Sequence, residues 1–126
     1  MSRRPALRLA AAAAVLAACG DGTGPDGPRA LTAVVVSPHG PEGAAVVQLN
    51  GRGVARVRGT DARVFAAAAD TAVTRVVVVR DVPGELRFTI ELRDGAPPPA
   101  PVLLQVADPE NRLRPSLAGY KVELER

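Results

Sequence analysis

The chain has 126 residues and carries sixteen Lys and Arg against thirteen Asp and Glu, a formal net charge of +3. That length accommodates one domain. One His, one Cys, one Tyr, two Phe and no Trp exclude a disulfide scaffold, a cysteine–histidine zinc site and an aromatic platform for stacking bases.

The surplus charge is local. Arg3, Arg4 and Arg8 precede an apolar stretch, Leu9 to Ala18, and after them thirteen basic residues face thirteen acidic ones. Ten apolar residues span only about 15 Å as a helix, half of the ~30 Å hydrocarbon layer, so residues 1–18 read as a signal peptide. Leu16-Ala17-Ala18-Cys19 closes this leader. These four residues resemble the lipobox of bacterial lipoproteins, and the resemblance implies cleavage before Cys19 and acylation of its sulfur and new amino group. Two or more acyl chains give stable anchoring to a bilayer without spanning it. Gly20 rather than Asp follows the Cys, which in lipoproteins resembling those of enteric bacteria permits export to the outer membrane. The implied address is the cell envelope, facing the periplasm or the exterior.

Residues 19–29 hold the lipidated Cys and a run of Gly and Pro that cannot pack a core, and so read as a flexible tether. Residues 30–126 then contain 17 Val and 9 Leu, a composition suited to pleated strands. In chain order the strand candidates are Leu31–Ser37, closed by Pro38-His39-Gly40-Pro41; Ala44–Leu49, closed by Asn50-Gly51; and Val54–Arg58, closed by Gly59. Ala62–Ala68 is ambiguous, because Ala66 to Ala69 suit a helix that Asp61 could cap. Thr74–Arg80 contains Val76 to Val79, the continuous run of a fully buried strand, and Pro83-Gly84 marks a turn. Glu85–Arg93 alternates strictly, with Leu86, Phe88, Ile90 and Leu92 on one face. Val102–Ala107 follows three prolines, and Tyr120–Glu125 comes last. The expectation is an all-β fold, a single antiparallel β-sandwich of about eight or nine strands.

Gly43-Ala44-Ala45-Val46-Val47, Arg75-Val76-Val77-Val78-Val79, Gln105-Val106-Ala107 and Ala118-Gly119-Tyr120 resemble segments of small bacterial lipoproteins. More distantly the pattern is similar to cohesin-type and carbohydrate-binding sandwiches. That likeness implies a jelly-roll and a binding role, and it transfers no binding residue.

Candidate chemistry is sparse. Ser37 and His39 flank Pro38 in a turn-like stretch, with no spacing that suggests a Ser-His-Asp relay, so no catalytic residue is assigned and a hydrolase is disfavoured. Asp108-Pro109-Glu110-Asn111 reads as a polar turn as readily as a calcium loop; no metal and no cofactor are expected. Arg52, Arg56, Arg58 and Arg63 form one basic cluster, but without aromatics to stack on bases it reads as a solvated strand face, and no nucleic acid is expected. If strands alternate in direction from a tether that feeds the first, the odd-numbered connections share one end, away from the membrane. These are Ser37–Gly43, Gly59–Asp61, Asp81–Gly84 and Asp108–Gly119, and they carry His39, Glu42, Asp61, Asp81, Asp108, Glu110, Asn111, Arg112 and Arg114. Loops on a rigid scaffold are where binding commonly resides, so this end is the expected contact surface for a protein or polysaccharide partner. The expected function is that of a non-enzymatic envelope lipoprotein in protein binding, adhesion or scaffolding, with a carbohydrate-binding or cohesin-like module as the alternative.

Overall fold

Strict alternation in Leu86–Leu92 buries Leu86, Phe88, Ile90 and Leu92 and turns Arg87, Thr89 and Glu91 outward, as a period of two requires of a strand with one wet face. A computed structural model describes residues 29–126. The expected signal peptide, Cys19 and the expected tether up to residue 28 lie outside the described residues. Among the described residues eight strands follow one another: β1 (Arg29–Val36), β2 (Glu42–Asn50), β3 (Val54–Gly59), β4 (Arg63–Asp70), β5 (Val73–Gly84), β6 (Leu86–Leu92), β7 (Ala100–Ala107) and β8 (Lys121–Glu125). No helix occurs among the described residues. Arg29, expected at the end of the tether, is the first residue of β1.

Two antiparallel four-stranded sheets form the sandwich, in the orders β3-β6-β1-β8 and β4-β5-β2-β7. The pairings are nested: β1 with β8, β2 with β7, β3 with β6 and β4 with β5. This is a long hairpin rolled upon itself, the arrangement of a jelly-roll. The pairs β1–β6 and β2–β5 join the halves of the two sheets. Those four strands are therefore central, and they supply most of the core: Leu31, Ala33 and Val35, Ala45, Val47 and Leu49, Val76 and Val78, and the apolar face of β6.

Two local expectations change. The Ala66–Ala69 segment is strand, since Val64, Phe65 and Ala66 pair with Val78, Val77 and Val76 of β5; non-local pairing overrides the helix propensity of alanine. In Val76–Val79 only Val76 and Val78 are buried. Val77 and Val79 are half-buried on the outer face, because a central strand in a sandwich still has one side toward solvent. The Pro83-Gly84 segment, expected as a turn, closes β5, and a single residue, Glu85, leads into β6. The Arg80 guanidinium secures that corner by donating to the carbonyls of Val82 at 2.9 Å and Glu85 at 3.1 Å.

Candidate functional site

Antiparallel pairing sets β1 and β3 against β6 and β8 in one sheet and β2 and β4 against β5 and β7 in the other. The contacts of Glu42 with Ser37 and Arg114, with clefts shared by residues 35–42 and 84–86 and by residues 61–63 and 79–82, join the odd-numbered connections. The first, third, fifth and seventh connections therefore gather at one end of the sandwich, opposite the start of β1. Within that end the expected contact residues separate into an inward set and an outward set.

Glu42 is the centre of the inward set. It opens β2 rather than lying in a loop, and it is only 2 % exposed. Its Oε2 accepts from Ser37 Oγ at 2.6 Å and from the Tyr120 hydroxyl at 2.5 Å. Its Oε1 accepts from Arg114 Nη2 at 2.9 Å and Nε at 3.1 Å. A buried carboxylate is tolerable when its charge is matched and its lone pairs are occupied. Both conditions are met here. Burial pushes the Glu42 carboxyl upward, but the hydrogen bonds from Ser37, Tyr120 and Arg114, with the charge of Arg114, outweigh it and hold the group below the ordinary carboxylate value. Burial foremost, and then the hydrogen bond to Glu42, raises the Tyr120 phenol against the opposing effect of Ser37 and Arg114, and the bond to Glu42 raises Arg114.

These four residues tie three segments together: the β1–β2 connection, the start of β2 and the long β7–β8 connection. The last is folded back on β7, with Asp108 N–H donating to the Arg112 carbonyl at 2.8 Å and Arg114 N–H to the Val106 carbonyl at 2.8 Å. Asp108 shapes this turn. Its Oδ1 accepts the backbone N–H groups of Glu110 and Arg112, both at 2.9 Å, and the Arg112 N–H foremost among these holds its carboxyl below the ordinary value. Asn111 supplies the left-handed residue, with φ 67°, a conformation asparagine adopts more readily than most residues. The connection is longer than a hairpin needs because it carries Arg114 back to Glu42.

The outward set consists of His39, Asp61, Asp81, Glu110 and Arg112. The His39 ring lies against Tyr120, with centroids 5.7 Å apart, and its backbone N–H donates to Ser37 Oγ at 2.9 Å. The Ser37 hydroxyl donates to Glu42, so its proton is directed away from the imidazole and toward a fixed anion. Asp81, expected in a loop, lies within β5 and pairs with Arg63 at 2.9 Å, both exposed. Arg112 reaches Glu110 at 3.5 Å and Asp108 at 3.7 Å with 73 % of its side chain exposed. Asp61 borders a shallow cleft with Arg63 and Asp81. A second cleft, of about 270 Å³, opens beside Glu42 between the β1–β2 connection and the Gly84-Glu85-Leu86 corner. Among the described residues no group of three His, Cys, Asp or Glu side chains converges on a point where a metal ion could sit.

Sequence reasoning placed Glu42 and Arg114 at this end but not with each other, and it missed the roles of Tyr120 and Ser37. The Arg114 and Tyr120 contacts with Glu42 span 72 and 78 residues of chain, a separation that no local pattern encodes, whereas Ser37 lies five residues from Glu42. One signal was available: Glu42 is a lone acid between Pro41 and Gly43 at the mouth of an apolar strand, a place where an unmatched charge would be costly. Comparison with protein-family models, curated proteins and solved structures gave no match.

Proposed function

We propose that the chain is a membrane-anchored, extracytoplasmic lipoprotein whose β-sandwich acts without catalysis, in protein binding, adhesion or envelope scaffolding. The observation that carries this reading is the leader ending in Leu16-Ala17-Ala18-Cys19, followed by nine residues containing four Gly and two Pro before Arg29. A tether of that length reaches at most about 30 Å. It would enter β1 at the end of the sandwich opposite the Glu42 network. Eight residues of β1 at ~3.3 Å each then carry the loop end about 26 Å beyond the point of attachment. The inward set makes that end rigid, and the outward set gives it mixed charge, as a rim of protein contact has. The bilayer, through acylated Cys19, and a protein or polysaccharide surface are the partners this reading implies.

The test is fractionation of cells producing the full chain or its Cys19→Ser variant, with labelled palmitate supplied. The wild type should be labelled and sediment with membranes, and the variant should be neither labelled nor retained. A Cys19→Ser chain that still takes up palmitate and sediments with membranes would overturn the anchor.

A further inference from the structure

Among the described residues four strands lie at sheet edges, and three of them carry features that resist pairing with another chain. β3 has Arg56 and Arg58 along it and an irregular register between Val54 and Arg56. β7 contains Pro101 and a bulge opposite Val46 and Val47. β8 is five residues long and carries Lys121, Glu123 and Glu125. Charges, proline, bulges and short length are the usual devices that keep a sheet edge from templating a further strand.

β4 differs. From Val64 to Ala69 it has six consecutive residues without charge or proline, and Phe65 onward is exposed. Among the described residues no strand pairs with its outer edge. Phe65 is 57 % exposed on the outer face, paired across β5 with Val77, whose own neighbour on β2 is Val46. The side chains that would shield the edge backbone are alanines.

The ends of β4 say what fits it. The strand begins with Arg63 and finishes with Asp70. Pairing to β5 runs Ala68 with Thr74 and then Asp70 with Val73, so Ala69 is the extra residue of a bulge. Asp70 is thereby turned to the face that holds Arg63, Phe65 and Ala67. A second β4 laid antiparallel sets opposite charges near each other at both ends, whereas a parallel one would set Arg63 beside Arg63 and Asp70 beside Asp70. We propose that β4 is a homodimerisation edge, pairing antiparallel with β4 of a second copy about a two-fold axis at Ala66 to form one continuous eight-stranded sheet.

Antiparallel neighbours related by a two-fold must share a face, and an axis at Ala66 satisfies this by placing Phe65 opposite Ala67 of the second copy. Arg63 then lies opposite Ala69 and beside Asp70. The contact is isologous, so it closes at two copies and does not propagate. The Arg63–Asp81 pair on the surface, with both side chains more than half exposed, holds Arg63 only weakly and leaves it available. The inference does not depend on the lipid anchor.

The test is sedimentation of the full chain in density-matched mild detergent, alongside Ala67→Lys. Ala67 is exposed, so the lysine leaves the fold intact, which a circular dichroism melt verifies, while it opposes the Phe65 contact at two symmetric places. The wild type should sediment at twice the monomer protein mass and Ala67→Lys at the monomer mass. A second reading comes from Ala66→Cys. Opposed Cα atoms in an antiparallel pair lie about 4.5–5.5 Å apart, within disulfide range, so oxidation should link two copies at least about tenfold faster than in a Glu123→Cys control on β8. A monomeric wild type, or a dimer that Ala67→Lys leaves intact, overturns the proposal. Occupation of the edge by residues 1–28 or by a foreign strand would give the first of those results.

Discussion

Replacing Glu42 by Ala is the most informative single perturbation of the fold. The side chain is 2 % exposed and is the common acceptor for Ser37, Tyr120 and Arg114, so its removal leaves two hydroxyls and a guanidinium without their partner. Breaking a buried ion pair from one side costs about 3–5 kcal/mol. The Arg114 side chain retains 22 % exposure, which lets water reach part of it and brings the expected loss to about 2–4 kcal/mol. For a domain of this size each kcal/mol moves Tm by about 4–8 °C, so a fall of roughly 8–30 °C is expected. Glu42→Gln keeps the shape and one acceptor, and should lose about half as much. The pH dependence has a definite sign. The folded Glu42 carboxyl titrates below its unfolded value of 4.5, so its contribution is present above that value and is lost as pH falls through the lowered folded one. Asp108 shifts in the same direction, so Glu42→Gln should flatten part of the acid limb and leave the rest. Thermal melts followed by circular dichroism from pH 7 down to pH 3 are the assay. A Glu42→Ala protein melting within about 2 °C of wild type would refute the idea that this network holds the loop end together.

Further expectations separate surface from scaffold. Arg112→Glu should leave Tm nearly unchanged, since the side chain is 73 % exposed, yet reduce partner capture in crosslinking pull-downs; Arg114→Glu should lower Tm, because it places a second carboxylate against Glu42. Unchanged capture by Arg112→Glu would remove the long connection from the contact surface. Gly43→Ala would bring its Cβ to 2.8 Å from the Asp108 carbonyl oxygen, and denaturant melts should show a loss of about 1–3 kcal/mol from the forced shift. At Gly95, where φ is 71° and no atom lies within 4 Å of the added methyl, alanine should cost about 1 kcal/mol from backbone strain alone; equal losses at the two sites would show that the β2–Asp108 approach is not tight. The two-fold proposed for β4 puts the two Arg29 ends at opposite ends of the shared sheet, so vesicles carrying the full chain should cluster by light scattering and those carrying Ala67→Lys should stay dispersed.

What could be read from residues alone follows from how local each signal is. The period-two pattern of Leu86–Leu92 is a property of seven consecutive residues, and the Gly and Pro punctuation that bounds the other strands is similarly local. β4 was ambiguous because alanine prefers a helix in isolation, and only the β5 ladder decides otherwise. The four-valine run of β5 looked wholly buried because hydropathy cannot distinguish the core face of a sandwich from a half-covered outer one. The direction of each strand placed the odd connections together, and that much of the candidate site was legible. Which of those polar residues turn inward was not. Arg114 and Tyr120 meet Glu42 only because the long connection folds back over β7, an event fixed by Asp108 and by backbone hydrogen bonds.

The lipid anchor is the centre of the functional reading, and intact mass spectrometry of the chain purified from membranes tests it most directly. The account predicts a polypeptide that begins at Cys19 and carries the added mass of a diacylglyceryl thioether, with or without a further acyl group on the amino nitrogen. A membrane-derived chain that retains residues 1–18, or that begins elsewhere with Cys19 bearing a free thiol, would contradict it.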